Sequence, residues 1–529
     1  MIFGLINSTD VPETFEPAQT HDNHLFSART IEFAKQRMRH CSRSHPTCSS
    51  SASLPLWVIH ITGNGLAAKL LPGVGRVEPY VTLSYKWGQV TRYTMTTANR
   101  SSLQHEIPLD QLPKTFLDAI ELTHKLGYKY LWIDALCITQ DDSRELGEQI
   151  AAMQNVYSGS DLTLFAADGF DANEGLNRTR DATVNFPIKV TIQAELPRLS
   201  TTVSKSLWIV NARGWLLNYH DPPLFERGWV LQEQLLSRRG LVFKREYVSW
   251  RCLHDNVSEI LPFDCKVSLE EDADGIERDL RDCDGLAHSR NWFWAESTDV
   301  RYKADFPLEP YYKAIELYMR RALTFKSDAL PAIAGLLAMT EQRTGSKFYH
   351  GTCLQDTRGF LWHCESRIGL IGSGIPPSWA WTSCFGQRGT FFYVRSFDYT
   401  WQVAEHHDTR DRGGLEVISW TQWGTLESNR FIPQTGGGDQ RHNVFVDADQ
   451  DPSERRVLCI FVAINTDWNH ALIAEPCHGE ENTFVRIGIS PRWKRRTVFD
   501  VVEAVERQGA VMNSQREGSN PQRPIQYLV

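Results

Sequence analysis

Apolar runs alternate with helix-periodic segments between residues 80 and 240. Tyr80–Ser84, Tyr130–Ile133 and Leu162–Ala166 are short runs rich in aromatic and β-branched residues, which is typical of buried strands. Between them, the segments that follow Pro113 and Glu145 place their apolar residues on one helical face. This alternation of strands and helices predicts an α/β fold with a mainly parallel sheet over residues 80–240.

The pattern changes on both sides of this segment. Residues 1–79 predict a mobile leader up to about Thr30 and then a hairpin, because two apolar runs flank the turn-forming pair Asn64-Gly65. Residues 241–529 predict a separate α+β region. Helices are expected from Glu309 and from Leu330, strands dominate after Ser378, and the polar tail from Ser514 is expected to be disordered.

Composition excludes several classes of protein. The 529 residues are 41% hydrophobic and 23% charged, which is ordinary for a globular protein. The net charge of -8 argues against a nucleic-acid partner. We see neither a signal peptide nor an apolar run long enough to span a membrane. The odd number of cysteines, 11, favours reduced thiols, so we expect a cytoplasmic protein.

Two carboxylates stand out as candidates for chemistry. Asp134 follows the apolar run Tyr130–Ile133, and the carboxyl end of a buried strand is where open α/β sheets bind ligands. The alternative is that Asp134 only caps a turn. Glu233 falls in the same helical stripe as Trp229 and Leu236, although a buried carboxylate is costly without partners.

The helix that carries Glu233 is expected to start at the Asp221-Pro222-Pro223 segment and to include Phe225 in its stripe. A purely structural alternative places Glu233 at the edge of the stripe, paired with Arg227 or Arg238.

We expect no metal site. His40, Cys41, His45 and Cys48 could bind zinc, but their spacing fits no common zinc finger and no second pair follows closely. Neither a G-x-S-x-G nor an H-E-x-x-H motif occurs, which argues against hydrolases of those types.

Three motifs together resemble the fungal heterokaryon incompatibility (HET) domain family. They are LSYKWG, which contains Ser84, Tyr85 and Trp87; YLWIDALCITQDD, which contains Asp134; and RGWVLQE, which contains Trp229 and Glu233. The resemblance covers about Tyr80 to Arg239. Thr139 departs from the asparagine usual in the family; it keeps a hydrogen-bonding oxygen but loses the amide donor.

The resemblance implies a role in fungal nonself recognition, in which the domain triggers growth arrest or cell death. The implied partners are further copies of this chain or other incompatibility proteins. The family has also been likened to TIR domains, which have a flavodoxin-like fold and in some cases hydrolyse NAD with a single glutamate. This likeness implies Glu233 as catalytic residue and Ser84, Tyr85, Trp87, Asp134 and Trp229 as a nucleotide pocket.

Two functional hypotheses from different classes follow. One is a self-associating α/β module without catalysis, and the sequence favours it. The other is an NAD glycohydrolase, with NAD as substrate and no certain cofactor. Cleavage of the nicotinamide–ribose bond builds positive charge on the ribose, which a fixed carboxylate stabilises. Convergence of Glu233, Asp134 and Ser84 on one pocket would support the enzyme.

Overall fold

The structure of the chain is a computed structural model that describes residues 3–7, 23–49, 53–65, 67–88, 93–181, 186–196, 201–211, 222–260, 286–294, 308–360, 362–364, 380–384, 389–391, 398–399, 402–409, 412–418, 421–427, 430–433, 442–443, 445–446, 455–464, 468–476, 483–494 and 525–528. It divides into two units. The first comprises Met1–Asp299 and Pro331–Leu336, and the second comprises Val300–Leu330 and Leu337–Val529.

The first unit contains eleven described strands and seven described α-helices. The strands are β1 (Phe3–Asn7), β2 (Trp57–Thr62), β3 (Ala67–Pro72), β4 (Tyr80–Ser84), β5 (Tyr130–Trp132), β6 (Leu162–Phe165), β7 (Ile188–Leu196), β8 (Thr201–Asn211), β9 (Arg239–Phe243), β10 (Val248–Cys252) and β11 (Asn256–Ser258). The helices are α1 (Ala28–Ser44), α2 (Arg100–His105), α3 (Lys114–Lys125), α4 (Asp134–Cys137), α5 (Ser143–Gly159), α6 (Gly228–Leu236) and α7 (Ala287–Trp294).

An eight-stranded mixed sheet organises this unit, in the order β11-β10-β9-β6-β4-β5-β2-β3. Its four central strands, β5, β4, β6 and β9, are parallel to one another. Numbered along the chain, these four strands are arranged 2-1-3-4. The prediction of an α/β fold is confirmed, and β4 and β5 are neighbours in one sheet as expected.

Antiparallel strands extend the sheet at both edges. The hairpin β2–β3, predicted from Asn64-Gly65, pairs with β5, and β10 and β11 continue the sheet beyond β9. The sheet therefore reaches beyond residues 80–240 on both sides, and the domain limits predicted at residues 79 and 240 do not coincide with its edges. Local hydrophobic patterning identifies strands but not their distant partners, since pairing is decided by long-range packing.

Local sequence signals explain where the helices of the central unit begin. Pro113 precedes α3, as a residue with fixed backbone angles suits a helix start. Asp142 caps α5, because its carboxylate accepts hydrogen bonds at 3.0 Å from the backbone N–H groups of Arg144 and Glu145. α1 begins at Ala28, inside the segment predicted to be a mobile leader, and its N-cap Ser27 accepts a hydrogen bond from the Thr30 N–H.

The insertion between β6 and α6 contributes a small separate sheet. β1, β8 and β7 pair in that order, all antiparallel. The sequence predicts only short strands near Val190 and Trp208, whereas β7 and β8 are 9 and 11 residues long.

Two further helices, α8 (Glu309–Met319) and α9 (Ala334–Thr344), follow along the chain. The later strands are β12 (Phe348–Tyr349), β13 (Thr352–Cys353), β14 (Trp362–Cys364), β15 (Gly389–Phe391), β16 (Asp398–Tyr399), β17 (Gln402–Thr409), β18 (Arg412–Ile418), β19 (Thr421–Glu427), β20 (Arg430–Pro433), β21 (His442–Asn443), β22 (Phe445–Val446), β23 (Arg455–Ile464), β24 (Trp468–Pro476), β25 (Thr483–Lys494) and β26 (Ile525–Leu528).

The second unit contains one large sheet among its described residues. Its main path is β17-β18-β26-β25-β24-β23-β19-β20-β21, to which β16 and β22 are added, and the pair β25–β26 is parallel while the others are antiparallel. The tail from Ser514 to Arg523, predicted to be disordered, lies outside the described residues. Within the part of the chain that the structure describes, no helix is long and apolar enough to cross a membrane.

Candidate functional site

The carboxyl-terminal ends of β4 and β5 carry the first two candidate residues. Ser84 is the last residue of β4 and is 1% exposed. Asp134 follows β5 after Ile133 and begins α4, as its place after a buried strand predicts. Because β4 and β5 are parallel neighbours, their carboxyl ends lie at the same edge of the sheet.

Helix α6 brings Glu233 to this edge. The helix begins at Gly228, so the expectation that it starts at Asp221-Pro222-Pro223 is wrong, and Phe225 lies before the helix in a turn. Phe225 packs edge-on against Phe165 of β6, which anchors the start of α6 to the sheet. Seven of the last eight residues of α6 are buried. Glu233 is one of them, with 6% of its surface exposed.

The electrostatic surroundings of Glu233 are unusual for a structural residue. Its pKa is raised from 4.5 to about 7, mainly by burial and additionally by the nearby negative charge of Asp134. The hydroxyl groups of Ser84 and Tyr157 and the positive charge of Arg227 face Glu233 and lower its pKa, but they only partly offset burial. Ser84, Asp134 and Glu233 therefore converge at one place.

Asp134 is held in a defined orientation. The Trp87 indole N–H donates to Asp134 Oδ2, and the Ala135 backbone N–H donates to Asp134 Oδ1 at 2.7 Å. Burial raises the pKa of Asp134, whereas the Trp87 hydrogen bond and the charge of Arg227 lower it. Asp134 thus does more than cap a turn, because it belongs to the same charged cluster as Glu233.

Arg227 supplies positive charge to both carboxylates. It lies at the N-cap of α6, and its Nη1 donates a hydrogen bond to the Tyr85 carbonyl oxygen at 2.6 Å. Arg238, the other partner considered for Glu233, instead donates to the Ser49 carbonyl oxygen and lies over the Trp294 ring. Of the two arginines in the structural alternative, Arg227 is the one whose charge acts on Glu233, but Glu233 is buried rather than at the edge of the helix face.

Aromatic side chains surround the carboxylates. The rings of Tyr85 and Trp87 stack with centroids 6.4 Å apart, and Trp229 lies one helical turn before Glu233 on α6. Tyr157 has no site role in the sequence-based prediction; its hydroxyl lies between Glu233 and the Leu83 carbonyl oxygen, 3.4 Å away. The sequence signal that could have pointed to Tyr157 is its hydroxyl group at the end of the apolar stripe of α5.

Exposure differs across the cluster. Ser84, Tyr85, Tyr157 and Glu233 are buried, whereas Trp87, Asp134, Arg227 and Trp229 are partly exposed. A separate cavity of about 540 Å³, lined by residues such as Asp168, Phe170 and Arg245, contains none of the predicted site residues. We place the candidate site at the carboxylates because the charges and hydrogen bonds converge there.

Thr139 lies near the end of the motif YLWIDALCITQDD, at the position where the resemblance leads us to expect asparagine. It is fully buried, and its hydroxyl donates to Glu145 Oε1 at 2.9 Å. Glu145 also accepts hydrogen bonds from Arg100 and Gln149. The threonine oxygen thus serves to fix the start of α5 rather than to contact the carboxylate cluster.

Comparison with known proteins identifies relatives of the central segment. Residues 80–233 match the family described as "Heterokaryon incompatibility protein (HET)". The matched segment begins with β4 and ends at Glu233, so it includes every residue of the cluster. The chain is also similar to "Heterokaryon incompatibility protein 6, OR allele" of Neurospora crassa, with 34% identity over 89 residues.

That alignment covers 15% of this chain and 13% of the Neurospora protein, so the similarity concerns a small part of either chain. No solved structure matches this chain.

Proposed function

We propose, from the premise that residues 80–233 belong to the heterokaryon incompatibility (HET) domain family, that this chain acts in fungal heterokaryon incompatibility. In this role the domain triggers growth arrest or cell death when genetically different strains fuse. We further propose that it does so as an enzyme, an NAD glycohydrolase with Glu233 as catalytic residue.

The observation that carries the enzymatic proposal is the placement of two carboxylates, buried Glu233 and partly exposed Asp134, beside one guanidinium group. Glu233 and Asp134 both have raised pKa values, and Arg227 is the cation that faces them. Apolar residues of similar volume would stabilise the same position better, because buried charges lose their hydration. Groups with pKa values shifted in this way are concentrated at sites of catalysis.

The position of the cluster in the sheet supports the same conclusion. The order 2-1-3-4 of the central parallel strands is that of the first four strands of a flavodoxin-like sheet, in which ligands bind at the carboxyl ends beside the point where strand order reverses. Here that point lies between β4 and β6, and Ser84 ends β4. A TIR-like fold for residues 80–233 is therefore part of the proposal.

Glu233 would act on the ribose. When the nicotinamide–ribose bond breaks, its electron pair leaves with neutral nicotinamide, and positive charge develops on the ribose. Ionised Glu233 stabilises that charge until water adds to the ribose carbon and loses a proton, giving ADP-ribose. No general acid is required for the leaving group.

The other cluster residues suit binding and orientation. The partly exposed indole rings of Trp87 and Trp229 offer apolar faces on which a nicotinamide or adenine ring would stack. Arg227 partly offsets the charge of Asp134 and Glu233, and the hydroxyl groups of Ser84 and Tyr157 orient the Glu233 carboxylate. Substrate would reach Glu233 past Trp87 and Asp134.

Induced expression in a filamentous fungus tests this function. Cells that express the wild-type chain should stop growing and take up a vital dye, and Glu233→Gln should abolish both effects at equal protein level. Glu148→Gln removes a matched carboxylate from an exposed position of α5 and should behave as wild type. Growth arrest by Glu233→Gln equal to that by wild type would contradict the enzymatic proposal and favour the self-associating module.

A further inference from the structure

Three cysteines and a histidine from distant parts of the chain meet in the first unit. Cys41, His45, Cys48 and Cys252 place one ligand atom each, three Sγ and one imidazole nitrogen, within 4.8 Å of one another. The three cysteines are buried and carry free thiols. This cluster lies apart from the carboxylate site, and it is the one group with metal-binding geometry among the residues that the structure describes.

Local structure explains how the three N-terminal residues come together. Cys41 lies in the last turn of α1, His45 is the C-cap of that helix, and Cys48 ends the short 3₁₀ helix Pro46–Cys48. The spacing C-x₃-H-x₂-C therefore wraps around a helix end. Cys252, the last residue of β10, completes the set from 207 positions beyond His45.

The distances fit a tetrahedral zinc ion. Zinc–sulfur bonds of about 2.3 Å and zinc–nitrogen bonds of about 2.0–2.1 Å place neighbouring ligand atoms about 3.5–3.8 Å apart. Cys252 Sγ and His45 Nδ1 are 3.5 Å apart. The upper limit of 4.8 Å leaves only a small contraction for the other pairs.

Two N–H groups donate to the sulfur atoms of the cluster. Arg239 Nε donates to Cys41 Sγ at 3.3 Å, and the His254 backbone N–H donates to Cys252 Sγ at 3.5 Å. N–H groups that donate to ligand sulfurs are a usual part of such sites, since they orient the ligands. Three thiolates and a neutral imidazole leave excess negative charge around a divalent ion, and the Arg239 guanidinium, which also pairs with Asp161 at 2.8 Å, lies next to that charge.

We propose that Cys41, His45, Cys48 and Cys252 bind a structural Zn²⁺ ion that fastens helix α1 to strand β10. All four ligands come from the protein, which is typical of structural rather than catalytic zinc. Hydrogen bonds already connect the same two parts, from Arg37 to Asp255 and between Thr47 and His254. The ion would thus lock the N-terminal helix onto the antiparallel edge of the HET-domain sheet.

Metal analysis and X-ray absorption of the purified full-length chain test this proposal. We expect about one zinc ion per chain, with an absorption spectrum fitted by three sulfur and one nitrogen neighbours. Replacement by Co²⁺ should give the visible absorption of a tetrahedral thiolate site. These measurements on wild type do not depend on whether a variant folds.

Variants identify the ligands. Cys252→Ser and Cys48→Ser should each lower the zinc content at least tenfold, whereas Cys353→Ser, which removes another buried free thiol, should leave it unchanged. The proposal would be overturned if the wild-type chain, purified from zinc-supplemented cells, contained no zinc and did not bind Co²⁺. A disulfide between any two of the three cysteines, detected by mass spectrometry of the same preparation, would also overturn it.

Discussion

Glu233 of α6 and Asp134 at the end of β5 lie so close that the negative charge of Asp134 raises the pKa of Glu233. Arg227 faces both carboxylates and lowers the pKa of each. One cation therefore faces two carboxylates, and this imbalance of charge has measurable consequences for stability and activity.

The stability of the chain should depend on pH through Glu233. Its pKa is about 7 in the folded chain and 4.5 as an ordinary side chain, so the folded state holds a proton that the unfolded state releases. The contribution to stability is full below pH 4.5 and is lost as the pH rises through 7. Glu233→Gln should therefore be more stable than wild type at pH 8, by about 2–3 kcal/mol.

Thermal unfolding of both proteins at pH 5 and pH 8 checks this expectation, with Glu148→Gln as control. The advantage of Glu233→Gln should shrink at pH 5. A variant that is less stable than wild type at pH 8 would show that the carboxylate stabilises the fold and that its burial has a structural purpose.

Loss of Arg227 should be costly, because it leaves two carboxylates without their facing cation and removes the hydrogen bond to the Tyr85 carbonyl oxygen. We expect Arg227→Met to lower the free energy of unfolding by about 3–5 kcal/mol. Combining it with Glu233→Gln should recover part of that loss, since the two side chains interact. Denaturant unfolding of the single and double variants measures the coupling, and strictly additive losses would contradict it.

Trp132 lies at the end of β5, one of the four central parallel strands of the sheet. It is 2% exposed, and its ring meets that of Tyr157 edge-on. Trp132→Ala should lower the free energy of unfolding by about 3–5 kcal/mol. Phe325→Ala removes an aromatic ring that is 66% exposed and should change stability by less than about 0.5 kcal/mol. Equal melting temperatures for Trp132→Ala and wild type would refute the strand assignment.

A buried ion pair between Arg180 and Glu259 lies beside Thr30 of α1. Glu259 accepts hydrogen bonds from Arg180, from Thr30 Oγ1 at 2.7 Å and from the Val248 backbone N–H at 2.7 Å. Arg180→Ala should cost about 3–5 kcal/mol, because it leaves Glu259 charged and buried. Arg39→Ala breaks an exposed pair with Glu32, which solvent screens, and should leave the melting temperature nearly unchanged. Similar melting temperatures for the two variants would contradict this difference.

Much of the α/β core could be predicted because its signals are local. Buried strands such as Tyr80–Ser84 are rich in aromatic, aliphatic and β-branched residues, which is a local signal. Ser84 and Asp134 were grouped only through the TIR likeness, and the structure places them at the carboxyl ends of neighbouring parallel strands. The start of α6 was placed too early, because the proline pair is a strong local signal that here belongs to a turn.

Other features depend on distant contacts and could not be predicted. Cys41, His45 and Cys48 were considered in the sequence together with His40 and no metal site was expected, whereas the cluster proposed to bind zinc takes its fourth residue, Cys252, from β10. Cys252 comes close to the other three residues because β10 pairs with β9 at the edge of the sheet. Likewise, Tyr157 contributes to the Glu233 site only because α5 packs beside α6.

The central claim is that Glu233 catalyses NAD cleavage, and nicotinamide release by the purified full-length chain tests it most directly. The assay compares wild type, Glu233→Gln and Glu148→Gln at protein concentrations high enough for self-association. We predict release by wild type and Glu148→Gln, rising with pH through about 7 as Glu233 ionises, and a rate about 10²–10³-fold lower for Glu233→Gln. Equal release from wild type and Glu233→Gln, or no release from wild type, would contradict the claim.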